Sequence, residues 1–349
     1  MEPHGGDTYG IRADALDFSA NINPLGMPES VRIAAEAAVR SSGRYPDPLC
    51  RGLRAALERS LGIPRGWIVC GNGAADIIYR LCWALKPRRA VVLTPTFSEY
   101  EAALNSVGST VTRYPSVETI LTALAKPTMP ASVDMVFLCN PNNPTGLLVD
   151  PALMAGIVEK CQIAGVTLVI DESFIDFVEN PQAHTLMPEL GRRPRLVVLR
   201  SFTKMFAMPG LRLGYCASSD AELVTRLYES GPPWAVSAPA MAAGVAALDE
   251  TGFVSRARAL IAREMPRLSD RLRGLGLRVT DGAANFLLVR DDSGADIPSK
   301  LAARGIIVRA HTGFHGLDGR YFRVAARLPH ENDRLAEALT DILREGDRP

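Results

Sequence analysis

Ser201-Phe-Thr-Lys-Met-Phe-Ala-Met-Pro-Gly-Leu-Arg-Leu-Gly214 gathers two hydroxyls and two cations into one turn. Arg195–Arg200 before it and Arg212–Ala217 after it read as short buried strands, which puts the turn at a strand's carboxyl end. Open α/β sheets bind their ligands there. A lysine held in that place, partly desolvated and beside other cations, is driven toward the neutral amine that condenses with carbonyl carbons. Ser201, Thr203 and Arg212 around Lys204 suit a phosphate. A lone lysine is ordinarily a solvated surface group. Only the company it keeps can make Lys204 a reactive one.

That company falls at other strand ends and turns. Gly71-Asn-Gly-Ala-Ala75 follows a strand and opens a helix, so bare amides and the helix N-terminus can hold a phosphate dianion. The third glycine of a dinucleotide fingerprint is missing, and no acidic residue closes a second strand at the required distance. Phe97, in Thr94-Pro-Thr-Phe-Ser98, follows a strand and could stack on a flat ring or simply fill the core. Asn140-Pro-Asn-Asn-Pro-Thr-Gly146 cannot continue a sheet, and its turn presents Asn143 to a phenolate oxygen. Asp171 ends a run of apolar residues, where a half-buried carboxylate wants a cation, or else serves as a helix cap. A protonated pyridine nitrogen is such a cation. Arg309 and Arg323, on neighbouring strands, offer two forked guanidiniums to two anionic groups. An imine-forming lysine, a phosphate cup and a carboxylate for a ring nitrogen are together what pyridoxal 5'-phosphate requires.

The elements that must position these groups alternate. Short apolar runs at Trp67–Cys70, Ala90–Thr94, Asp134–Cys139, Val166–Ile170 and Leu196–Leu199 are separated by helices at Ala74–Leu85, Phe97–Val107 and Pro151–Ala164. Continuous apolar strands with helices between them predict a mostly parallel sheet covered on both faces. We expect an N-terminal arm over 1–30, anchored by Phe18, Ile22 and Leu25, and a large α/β domain over 31–235. Two helices precede its sheet, one opening at Pro28–Ser30 and one over Leu49–Leu61. A smaller α+β domain over 236–349 has helices at Ser237–Leu248, Phe253–Leu275 and Glu331–Arg344. Its strands are Leu277–Thr280, Asn285–Val289, Ile306–Arg309 and Tyr321–Ala325.

With 349 residues, 47% hydrophobic and 22% charged, the composition is that of a globular enzyme. A net charge of +1 gives no field for nucleic acid or a membrane surface. No run approaches the ~20 apolar residues of a membrane span, and no signal peptide is visible. Six scattered cysteines without a CxxC pair argue against zinc and for reduced, buried thiols in the cytoplasm. His311 and His315 flank Gly313 and read as loop residues, so no metal site is expected.

The ordered set GNGAAD, TPTFSEY, NPNNPTG, DESF and SFTK with GLRLG resembles the fold type I, aspartate aminotransferase-like, pyridoxal phosphate enzymes, over about residues 17 to 327. Within them it is similar to the branch that contains histidinol-phosphate aminotransferase. The resemblance implies that Lys204 carries the cofactor as a Schiff base, Asp171 pairs with the ring nitrogen, Asn143 with the ring hydroxyl oxygen, and Phe97 stacks. Ala74, Ala75, Ser201, Thr203 and Arg212 would hold the phosphate, and Arg323 a substrate carboxylate. Tyr45, in Arg44-Tyr-Pro-Asp-Pro48, would reach the phosphate of a neighbouring subunit, which implies a homodimer with shared sites.

Two features depart from the aminotransferases of that branch. Their DE-x-Tyr motif has Phe174 here, with no hydroxyl to give the ring. His4-Gly-Gly6 and Asp17-Phe-Ser-Ala-Asn-Ile-Asn-Pro-Leu-Gly26 resemble the L-threonine-O-3-phosphate decarboxylases of cobalamin biosynthesis. That likeness implies substrate contacts from His4, Gly5, Asn21, Arg309 and Arg323. Decarboxylation of O-phospho-L-threonine is the leading expectation, and amino transfer between glutamate and imidazole acetol phosphate the alternative. A non-catalytic cofactor sensor would be a third reading, but no basic stretch supports it.

Overall fold

Strands buried on both faces form the centre of the molecule, here a computed structural model that describes residues 5–8, 10, 14–126, 133–310 and 314–346. The chain enters through β1 (Leu16–Asp17), α1 (Glu29–Val39) and α2 (Arg51–Leu61). Next come β2 (Ile68–Gly71), α3 (Ala74–Leu85), β3 (Arg89–Leu93), α4 (Ser98–Ser106), β4 (Thr110–Tyr114) and α5 (Val117–Leu124). Then follow β5 (Met135–Cys139), α6 (Pro151–Ala164), β6 (Thr167–Asp171), β7 (Leu196–Ser201), α7 (Phe202–Met205), β8 (Gly214–Ala217) and α8 (Ala221–Glu229). The last part runs α9 (Ala238–Leu248), α10 (Thr251–Gly274), β9 (Arg278–Thr280), β10 (Phe286–Arg290) and α11 (Ile297–Ala303). It ends with β11 (Ile306–Ile307), β12 (Arg309–Ala310), β13 (Tyr321–Ala325) and α12 (Pro329–Gly346).

Seven strands pair in the order β2-β8-β7-β6-β5-β3-β4, with only β8 antiparallel to its neighbours. Every residue of β5 and β6 is buried, because helices cover both faces. One apolar cluster joins Ile77, Leu81, Tyr100 and Phe137 under α3, α4 and α8. The other joins Leu53, Val136, Ile170, Phe253 and Phe286 across to the second sheet. That second sheet is antiparallel, in the order β12-β13-β10-β9. The parallel strands therefore end together, and Cys139, Asp171 and Ser201 come out on one edge beside Gly71.

The structure corrects several expectations. β4, α5 and α8 have no counterpart in the sequence reading. β4 is an edge strand with three of its five residues exposed, so it lacks the apolar run that marks its neighbours. The strand expected over Ile306–Arg309 divides at Val308: β11 pairs in parallel with β1, while β12 pairs with β13. The strand expected from Arg212 starts at Gly214, since Arg212 is left-handed at φ 56°. α2 starts at Arg51 because Cys50 is left-handed at φ 48°. Phe18 is fully buried and anchors the N-terminal segment, whereas Leu25 is exposed.

All six cysteines are free and buried. Among the described residues no helix is long and apolar enough to cross a membrane.

Candidate active site

A cavity of about 370 Å³ opens along the strand-end edge, between the two larger sheets. It brings together Ala74, Ala75, Phe97, Asn143, Asp171, Ser201, Thr203, Lys204 and Arg212 with Gly5, Asn21, Arg309 and Arg323. Tyr45 is not among them. It lies 81% exposed and stacks on Trp234 at 4.6 Å. His4 and His311 lie outside the described residues.

At one end of the cavity α3 begins without a side-chain cap, its N-cap being Gly73 at φ 87°. A Cβ on Gly73 would stand 2.6 Å from the Arg212 guanidinium, and one on Gly214 would stand 2.5 Å from the Ala74 nitrogen. Only glycine lets the cation and the next strand approach the helix start this closely. The buried Ser201 and Thr203 hydroxyls lie 2.8 Å apart, and Ser201 also caps α7, the turn that carries Lys204. Exposed helix amides, two hydroxyls and a guanidinium form a phosphate cradle.

In the middle stands Asp171, only 4% exposed. Burial raises its pKa; donors from Ser173 and Tyr100 oppose this. Tyr100 Oη donates to Asp171 Oδ2 at 2.7 Å and the Ser173 N–H to Oδ1 at 2.9 Å. Tyr100 is stacked on Phe137 at 5.2 Å and meets Phe97 edge-on at 5.6 Å. Neither Tyr100 nor Ser173 was singled out from the sequence. Tyr100 could have been, since it lies in the first turn of α4, three residues beyond Phe97 at the N-cap.

Lys204 has its amine pushed down from 10.5 to about 8. Burial is the main cause, followed by Arg323 and Arg212, with Asp171 pulling the other way. Its turn is fastened to the N-terminal segment: the Asn23 N–H donates to the Lys204 carbonyl at 3.0 Å, and Asn23 Nδ2 to that of Met205 at 2.8 Å. Asn23 therefore serves the lysine turn, whereas Asn21 faces the cavity with Oδ1 buried and without a partner among the described residues.

At the far end Arg309 and Arg323 are directly opposed across β12 and β13. Arg323 donates to Asn143 Oδ1 and to the Ser19 carbonyl, and lies 5.3 Å from the Phe286 ring centre. Burial, then Arg309, lowers Arg323 to about 9. Arg309 lies over Phe314 at 5.6 Å. Like charges placed opposite each other in a sheet repel, so the pair calls for anions between or above them. Phe174 meets Phe286 edge-on at 5.0 Å and adds no polar atom to this wall. Phosphate cradle, buried carboxylate and depressed amine, in one cavity, fit a phosphorylated pyridine aldehyde.

Residues 13–339 match the sequence profile of the family described as aminotransferase class I and II. The chain is similar to the threonine-phosphate decarboxylase of Salmonella typhimurium, 39% identical across 97% of this chain and 96% of that one. It is also similar to histidinol-phosphate aminotransferase 1 of Cupriavidus pinatubonensis, 36% identical across 95% and 89%. Among solved structures it resembles the histidinol-phosphate aminotransferase of Clostridium acetobutylicum, with a TM-score of 0.87 and 29% identity over 95% of this chain and 99% of that one.

Proposed function

The chain belongs to the aminotransferase class I and II family, and from that premise we infer that it is a pyridoxal 5'-phosphate enzyme releasing the carboxylate of O-phospho-L-threonine as carbon dioxide. The product is (R)-1-amino-2-propanol O-2-phosphate, for cobalamin biosynthesis. When bound, the cofactor supplies an aldehyde that condenses with amines and a ring that draws electrons from Cα.

The chain's own residues do the rest. Lys204 would hold the cofactor through its amine and, when that amine is free, would be placed to carry a proton to or from the substrate Cα. Its value of about 8 leaves part of the amine neutral near physiological pH. Asp171, whose pKa is raised by burial against the opposing donors Ser173 and Tyr100, would pair with the ring nitrogen and favour its protonated form. Ala74, Ala75, Ser201, Thr203 and Arg212 hold the cofactor phosphate, Asn143 the ring hydroxyl oxygen, and Phe97 the ring face. Arg309 and Arg323 take the carboxylate and phosphate of the substrate, with Gly5 and Asn21 lining the same cavity; His4, outside the described residues, is read as a further substrate contact from the sequence resemblance alone. By fixing the carboxylate and phosphate of the substrate, Arg309 and Arg323 would set its orientation, and orientation selects the reaction.

The observation that favours decarboxylation is the wall itself. Gly5, Ser19 and Asn21 of the N-terminal segment line the same cavity as Arg323 and Lys204. The similarity to a histidinol-phosphate aminotransferase keeps transamination as the second reading. Carbon dioxide released from O-phospho-L-threonine would support the first. Formation of 2-oxoglutarate from glutamate and imidazole acetol phosphate, without carbon dioxide release from phosphothreonine, would replace it with the second. We further read the enzyme as a cytoplasmic homodimer in which Tyr45 reaches the cofactor phosphate of the other subunit.

A further inference from the structure

Gly5 and Gly6 turn back onto Ser19. The Gly6 N–H donates to Ser19 Oγ at 2.8 Å. The proton of that hydroxyl is already committed, because Ser19 Oγ donates to Asp17 Oδ1 at 2.6 Å. The same carboxylate oxygen accepts the Ser19 N–H at 2.8 Å and the Ala20 N–H at 3.3 Å. With its proton turned toward Asp17, the hydroxyl offers Gly6 only lone pairs. On its main-chain side, Ser19 accepts from the Arg323 guanidinium at 2.7 Å. One residue thus joins the N-terminal turn to a substrate-facing cation.

The fit is close. A Cβ on Gly5 would stand 2.3 Å from the Ser19 oxygen and 3.3 Å from Arg323, and Gly6 has φ +88°. The base beneath is firm: Phe18 is fully buried, Arg327 lies 5.7 Å from its ring centre, and its carbonyl accepts from the Ala325 N–H at 2.9 Å. Asp17 is paired into β11. Detaching Gly5 and Gly6 therefore need not disturb residues 17 and 18.

We propose that Ser19 is a positioning residue for substrate binding, its hydroxyl seating the Gly5-Gly6 turn against Arg323 at the cavity wall. Ser19 acts through these neighbours and touches no reacting atom. The kinetic consequence rests on the decarboxylase reading; the seating does not.

Hydrogen exchange and kinetics on the cofactor-loaded, full-length protein test the two separately. Ser19→Ala removes the acceptor for Gly6 and the hydroxyl donor to Asp17 Oδ1, which keeps its two main-chain donors. Amide exchange at Gly6 should accelerate about tenfold, and KM for O-phospho-L-threonine should rise by a similar factor, kcat moving less. The visible spectrum of the bound cofactor should be retained. Gly5→Ala, which presses a methyl on the Ser19 carbonyl, should raise KM as well, and the double variant should be no worse than the poorer single. Unchanged Gly6 exchange in Ser19→Ala, or fully additive losses in the double variant, would overturn the seating role. If exchange accelerates but the unaltered enzyme does not turn over phosphothreonine, the seating stands and the decarboxylase reading falls.

Discussion

Lys204 costs the fold stability for the same reason that it is reactive. In the unfolded chain its amine titrates near 10.5, and in the folded one at about 8. Below about 8 both states are protonated, and the folded state bears the whole expense of a buried ammonium. Between about 8 and 10.5 the unfolded state binds a proton that the folded state does not, so this group's contribution improves as pH rises. Lys204→Met should therefore stabilise the cofactor-free protein near neutral pH by on the order of 3 kcal/mol, a gain that fades towards pH 10.5. Urea unfolding at stepped pH measures it, and a gain independent of pH would mean that the amine is solvated. Tyr100 works on the partner charge. Tyr100→Phe keeps the ring between Phe97 and Phe137 but deletes the donor to Asp171. The carboxylate then has less support against its burial, and cofactor affinity should fall by roughly threefold to tenfold, read from equilibrium dialysis.

At the scale of elements, the site depends on loops from two sheets touching main chain to main chain. The Ala283 N–H donates to the Gly146 carbonyl at 2.8 Å, and a Cβ on Gly282 would stand 2.6 Å from the Gly146 Cα. Gly282→Ala must push the Asn140–Gly146 loop away from the β9–β10 connection. We expect a loss of about 1–3 kcal/mol in thermal unfolding, together with weaker cofactor binding as Asn143 moves with its loop. A variant of full stability and affinity would show that the two loops yield independently. This contact was invisible in the sequence, where Gly282 is only a glycine between Asp281 and Ala283. The strand-end residues were legible, because a polar or glycine-rich turn directly after an apolar run has few structural reasons to exist. Asp171, Asn143 and Lys204 all carry that signature. Two-residue strands do not: β1, β11 and β12 are defined by partners some three hundred or more than ten residues away, and no local periodicity records such pairings. α5 and α8 show a different limit, their apolar stripes being too short to stand out from the loops around them. Ser19 was passed over between Phe18 and Asn21 because its role lies in a hydroxyl whose two partners the letters do not reveal.

At the scale of the whole molecule, one predicted site residue remains apart from its own cavity. Tyr45 is 81% exposed and lies on Trp234, itself 44% exposed, while Ile33 and Val39 leave apolar surface on α1. Exposed aromatic and aliphatic groups of this size are commonly covered by another chain. If Tyr45 serves the cofactor phosphate of a second subunit, each site needs Lys204 from one chain and Tyr45 from the other. Lys204→Ala and Tyr45→Ala homodimers should then both be impaired, the first abolished. Co-expressed, the two variants form heterodimers in which one site carries both lesions and the other carries neither. With random pairing, half of the dimers are mixed and each has one intact site, so activity should return to roughly one quarter of the unaltered level. Were Tyr45 to act within its own chain, every site in the mixture would still lack one of the two residues. Activity would then stay at the mean of the two homodimers, and sedimentation of the mixture would tell whether the chains had paired at all.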